Sequence, residues 1–129
     1  MGYVRPFILS EDARSQAEFY AETLGGSISS VMTHGQAGEM QDDLKDKVMH
    51  LCLEIAGGSS IFMADSAEPF TQGSGLLLNI SYPAETEARE AFDKLASHGT
   101  VKIPFEQKPF GLHYGEITDR YGITWMITA

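Results

Sequence analysis

The sequence predicts an α+β fold built from two βαβββ modules, each a curved mixed sheet with one helix on its outer face. Three observations predict it. Stretches of helical period ending in glycine occur twice, at "SEDARSQAEFYAETLGG" and "PAETEAREAFDKLASHG". Each follows one short strand-like stretch and precedes three more, so the order strand, helix, strand, strand, strand repeats. The chain has 129 residues, 43% of them hydrophobic, which suits one ordinary domain with a real core.

The first module, about residues 1–66, opens with a strand over Tyr3 to Leu9. Ser10 is placed to cap the helix that follows, with Glu11 and Asp12 in its positive first turn. Ala13, Ala17, Tyr20 and Leu24 share one face at helical spacing, and Gly25 supplies a stop. "GSISSVMT" is the next strand, followed by a polar, acidic loop from His34 to Asp46. In "VMHLCLEI" Met49, Leu51, Leu53 and Ile55 form an apolar stripe at period two, opposite Val48, His50, Cys52 and Glu54. Gly57-Gly58 turns this strand into "SSIFMAD" as a hairpin.

The second module, about residues 75–129, repeats the order after the turn-rich connector "SAEPFTQGSG". "LLLNISY" is a strand, with Leu76, Leu78 and Ile80 as core and Leu77, Asn79 and Ser81 on the other face. Pro83 lies at the start of the helix, Ala88, Ala91, Phe92 and Leu95 form its buried face, and Gly99 ends it. "TVKIP", "LHYGEITD" and "ITWMIT" complete the sheet, with a turn at Tyr121-Gly122. Parity then sets the faces. Leu51 and Leu78 belong under the helices, so His50 and Asn79 point the other way, towards a cavity with Phe110 or Tyr114 near its mouth.

Composition narrows the partners. A net charge of −9, from 18 acidic and 9 basic side chains, repels phosphate backbones and anionic membranes. A cationic ligand is better tolerated. No apolar run approaches a membrane span, and no stretch resembles a secretory core or a myristoylation signal. One cysteine forms no internal disulfide, so the expected location is the cytoplasm.

Specific residues add a resemblance. "FYAETLGG" resembles the F-Y-x-x-x-L-G-G signature of the vicinal-oxygen-chelate superfamily, which includes glyoxalase I, bleomycin-resistance proteins and extradiol dioxygenases. "VMHLCLEIAGGSSIFMADSAEP" and "AFDKLASHGTVKIPFEQKPFGLHYGEITDRYGITWMI" are similar to segments of its PhnB-like branch. Thr118, Asp119, Gly122, Trp125, Met126 and Ile127 all fall in register with that branch's T-D-x-[FY]-G-x-x-W-M-I ending. The resemblance implies a single glyoxalase/bleomycin-resistance domain over 1–129 and a homodimer.

It does not imply a known reaction. The superfamily's metal enzymes take His, Gln or Glu ligands from the first and fourth strands of each module. Here "YVRPFIL" offers none, "SSIFMAD" offers only Asp65, the second module begins Gly75-Leu76-Leu77, and Met126 stands where a glutamate is expected. A facial divalent site needs about three protein ligands, so no cofactor is expected. The alternative is a metal-dependent lyase, isomerase or dioxygenase using other donors, such as His50 and Asp65 with a partner-chain residue. The branch is often labelled a demethylubiquinone methyltransferase. Gly25-Gly26 follows a helix and Gly57-Gly58 joins two strands, so neither is a phosphate-type loop entering a helix.

The expected ligand site therefore comprises His50, Cys52, Asn79, Phe105, Phe110, Tyr114 and Met126, holding a small aromatic or cationic molecule. His50 is a ligand hydrogen-bonder, a general base or a satisfied core imidazole. Cys52 is either a nucleophile paired with His50 or a small hydrophobe. The Asn79 amide needs partners, from a ligand or a neighbouring strand. Phe105, Phe110 and Tyr114 surround an aromatic loop that serves as a lid or a dimer contact. Trp125 is core, Glu54, Asp42, Asp43 and Asp46 are solvated, and His34 and His98 sit at element ends.

Overall fold

The structure is a computed structural model and describes residues 1–55 and 57–129. The chain divides into two compact units, Met1–Phe70 and Thr71–Ala129. Each contains one four-stranded sheet and one helix.

In the first unit β1 is Phe7–Ser10, α1 Ala13–Leu24, β2 Gly26–Thr33, β3 Val48–Ile55 and β4 Ser59–Asp65. The sheet order is β1-β4-β3-β2, with β1 and β4 parallel and the other pairs antiparallel. Helix α1 packs across β3, β2 and β4. Its Ala13, Ala17, Tyr20 and Leu24 are buried, as their spacing predicts. Beneath them Leu51, Leu53 and Met63 are fully buried, worth about 1.5–3 kcal/mol each.

Two local expectations change. The cap of α1 is Asp12, whose carboxylate accepts from the Ser15 N–H at 3.2 Å; Ser10 instead accepts from the Asp12 N–H at 3.0 Å, one step upstream. In β3 the alternation breaks at its start. A register shift between Met32/Thr33 leaves both Val48 and Leu51 buried, with half-buried Met49 and His50 between them.

In the second unit β5 is Leu77–Ser81, α2 Glu85–Leu95, β6 Thr100–Gln107, β7 His113–Thr118 and β8 Thr124–Thr128. The order is β5-β8-β7-β6, again with one parallel pair, β5 with β8. Helix α2 packs on β7 and β8 through Ala88, Ala91, Phe92 and Leu95. Gly115 in β7 makes this approach possible, since a Cβ there would lie 2.7 Å from Phe92 and 2.8 Å from the Phe105 backbone.

Here the corrections are larger. Leu76 precedes the strand and is 82% exposed, so it is not core. Pro83 lies one residue ahead of the Ala84 cap, and α2 stops at Leu95, well before Gly99. Strand β6 runs through Pro104, which a sheet edge tolerates because it needs no donor on its open side. The aromatic loop therefore shrinks to Lys108–Leu112, closed by hydrogen bonds from Lys108 N to Leu112 O and Gly111 N to Lys108 O.

Candidate functional site

Each sheet packs one face under its helix and turns the other away from it. On the first sheet, register places Phe7 opposite Phe62, Phe62 opposite Cys52, and His50 opposite Met32. These side chains lie on the face away from α1, because Leu51 and Met63 between them point to the core. His50 lies 4.7 Å from the Phe62 ring centroid and 6.0 Å from that of Phe7, and the two phenyl rings are 6.4 Å apart, edge to face. Phe7 is 52% exposed, with Leu9 and Met32 also open beside it. The result is an aromatic surface with one imidazole set into it.

Cys52 is half-buried on this face, and among the described residues neither it nor His50 hydrogen-bonds the other. No third group orients the pair as a nucleophile would require. Arg5, just before β1, stacks its guanidinium over Phe62 at 5.5 Å and over Tyr3 at 5.6 Å.

The open face of the second sheet is polar. Asn79, Met126 and Glu116 form one row across β5, β8 and β7; Ser81, Thr128 and Tyr114 form the next. Asn79 donates to the Met126 carbonyl at 2.9 Å and to the Thr128 hydroxyl at 3.5 Å, and accepts from Ser81 at 3.3 Å. The neighbouring strand β8 thus accepts both bonds from the Asn79 amide nitrogen, and Ser81 of its own strand donates to the amide oxygen. Tyr114 donates to the Glu116 carboxylate, and that bond, together with burial and the carboxylate's charge, holds the phenol above its ordinary pKa.

Glu116 is missing from the residues expected at the site. The signal for it was its parity in "HYGEIT", which sets it between Tyr114 and Thr118 on one face.

The structure moves Phe105 out of the expected lid. It is 6% exposed, 5.7 Å from the Phe92 ring, and covered by the Arg89 guanidinium at 5.1 Å. Phe105 sits where the β6 register slips between Ile103 and Glu106, within the strand and not in the loop. Phe110 is 72% exposed at the tip of the short turn.

The expected alternative metal donors do not converge. Asp65 lies on the core side of β4, in step with Ile61 and Met63, whereas His50 is on the open side of β3. Both Asp65 oxygens are occupied: Oδ1 accepts from Ala13 N at 2.8 Å and Oδ2 from Val48 N at 2.7 Å. Asp65 therefore ties the start of α1 to the start of β3. Among the described residues no three His, Cys, Asp or Glu side chains gather as a metal-holding group. None of the helices described is long and apolar enough to cross a membrane.

Comparison with known proteins agrees with this architecture. The sequence model of the 3-demethylubiquinone-9 3-methyltransferase family matches residues 3–128. Protein YjdN of Escherichia coli (strain K12) is 26% identical over 124 residues, covering 86% of this chain and 83% of that one. Among solved structures, protein PA1353 from Pseudomonas aeruginosa matches with a TM-score of 0.84 at 27% identity, covering 98% of this chain and 96% of its own. The putative 3-demethylubiquinone-9 3-methyltransferase, PhnB protein, from Bacillus cereus matches at 0.80 and 24% identity, covering 98% of both chains. A glyoxylase/bleomycin resistance protein/dioxygenase domain from Frankia sp. EAN1pec, 18% identical, shares the fold at 0.70, covering 99% of this chain and 96% of its own. The chain belongs to the 3-demethylubiquinone-9 3-methyltransferase family, the PhnB-like proteins of the glyoxalase/bleomycin-resistance fold.

Proposed function

We propose that this chain is a cytoplasmic, homodimeric small-molecule-binding protein that takes an aromatic or cationic compound on an open sheet face, without the superfamily's usual metal site. The observation that carries the reading is the ring group of Phe7, His50 and Phe62 on the face away from α1. Exposed large apolar side chains gathered on one face mark binding surfaces more often than isolated ones do. An aromatic lining with a few fixed polar groups is how small-molecule sites are built.

Two other readings draw less support. Metal-dependent lyase, isomerase or dioxygenase chemistry needs donors other than His50 and Asp65, which lie on opposite faces. Methyl transfer is named for the family, yet Gly25 is spent on the C-terminal cap of α1 and Gly57-Gly58 on the β3–β4 hairpin. Neither pair forms a loop aimed at a helix N-terminus.

Thermal-shift screening against a library of small aromatic and cationic compounds tests the proposal. Compounds that raise the melting temperature in proportion to their concentration are expected. A broad library without one stabilising compound would sink it.

A further inference from the structure

We infer that Arg5 makes the open face of the first sheet selective for a planar aromatic acid, its guanidinium taking the carboxylate while the ring lies against Phe7, His50 and Phe62. The inference rests on the ligand face proposed above and specifies what that face prefers.

Arg5 and Arg89 both stack on aromatic rings, and they differ in one respect. Arg89 lies over Phe105 at 5.1 Å, and its Nε and Nη2 donate to Glu85 at 2.9 and 2.6 Å. Its charge is answered. Arg5 is exposed and lies over Phe62 at 5.5 Å and Tyr3 at 5.6 Å, but among the described residues it makes no ion pair and no hydrogen bond. Stacking uses only the faces of a guanidinium. Its five N–H donors point outward in the plane, matched to the two oxygens of a carboxylate.

In a chain with 18 acidic and 9 basic side chains, a stacked arginine with no acidic partner stands out. It lies over Phe62, whose centroid is 4.7 Å from that of His50. An aromatic acid satisfies both halves: ring against rings, carboxylate against guanidinium. The net charge of −9 opposes an anion only at long range. That repulsion is screened within a Debye length of roughly 8 Å at physiological salt, so the adjacent guanidinium decides.

The test compares benzoate, benzamide and benzamidine, three ring probes differing in charge, by NMR titration of the full chain and of R5Q and R5K. Benzoate is expected to bind on the order of ten-fold more tightly than benzamide, a preference worth about 1.4 kcal/mol. R5Q should erase it. R5K should keep a smaller part, since the charge remains and the planar fork is lost. Equal binding of benzoate and benzamide at Phe7, His50 and Phe62, tighter binding of benzamidine, or a preference unchanged in R5Q each overturns the inference. The first two leave the proposed function standing. Failure of all three probes also overturns it, and the thermal-shift library then decides the proposed function separately.

Discussion

The indole N–H of Trp125 donates to the Asp119 carboxylate at 2.8 Å, inside the second unit, where both residues are buried. The other carboxylate oxygen accepts from Tyr121 N at 2.8 Å and Ile123 N at 3.1 Å. One side chain thus shapes the β7–β8 turn and anchors the largest core residue. The T-D-x-[FY]-G-x-x-W motif is therefore a clasp that builds the sheet. Asp119→Ala removes the acceptor of three donors, the buried Trp125 indole and the part-buried Tyr121 and Ile123 N–H groups, and should cost roughly 3 kcal/mol. Asp119→Asn should cost about 1–3 kcal/mol, because its amide meets at least one N–H with another donor. Urea unfolding followed by Trp125 fluorescence measures both, and a loss below 0.5 kcal/mol, roughly the surface-mutation range, would refute the clasp.

Gly115 should not tolerate a side chain. An alanine methyl there meets Phe92 at 2.7 Å and the Phe105 backbone at 2.8 Å, and the backbone atom cannot swing away. Gly115→Ala should destabilise by about 1–3 kcal/mol, as overpacking typically does. An unchanged denaturation midpoint would mean α2 does not approach β7 this closely.

The Tyr114 phenol titrates above its ordinary value, chiefly through its bond to Glu116, then through burial and the carboxylate charge. Tyr82 shifts the same way, through burial and then Glu87. Both prefer the protonated form in the folded chain. Their contribution to stability is complete below the unfolded tyrosine value of 10.0 and is lost as pH rises through the higher folded values. Ultraviolet titration of tyrosine ionisation should show a late-titrating group that moves to lower pH in Glu116→Gln. A titration curve unaffected by that substitution would remove the Tyr114–Glu116 bond from the account.

Much of the scaffold was legible, and the reason is periodicity. Leu51 and Leu53 in β3, and Ala13, Ala17, Tyr20 and Leu24 in α1, are buried on one side, and one-sided burial leaves a trace at period 2 or 3.6. Leu76 and Phe105 were misplaced where that trace is short. Two apolar residues at a strand end fit either face, and Pro104 disguised the continuation of β6. Partners across strands were harder still. That His50 meets Phe62 depends on the β3–β4 register, which no local pattern in either strand states. Arg5 and Glu116 did carry a signal. Tyr3, Arg5 and Phe7 alternate, as do Tyr114, Glu116 and Thr118, but charges on short strands read as ordinary solvated positions.

Edges predict assembly. β1 and β2 bound the first sheet and β5 and β6 the second, and edge strands are where sheets of separate chains pair. Light scattering should give about twice the chain mass of 14.1 kDa. The monomer mass across micromolar concentrations would end the proposal of a homodimer.

The central claim is that the face of β3 away from α1 meets a ligand, and His50 is its most informative residue. His50 contacts Phe7 and Phe62 by its ring, and among the described residues its imidazole makes no hydrogen bond. His50→Ala should therefore change stability by less than about 1 kcal/mol, well short of the penalty for orphaning a buried polar partner. The direct measurement is chemical-shift mapping of the strongest thermal-shift ligand on isotopically labelled wild-type chain and His50→Ala. The account predicts the largest shifts at Phe7, His50, Cys52 and Phe62, with affinity reduced in the variant. Shifts confined to α1 or to the acidic segment 34–46, with those four residues unmoved and the variant's affinity intact, would contradict it.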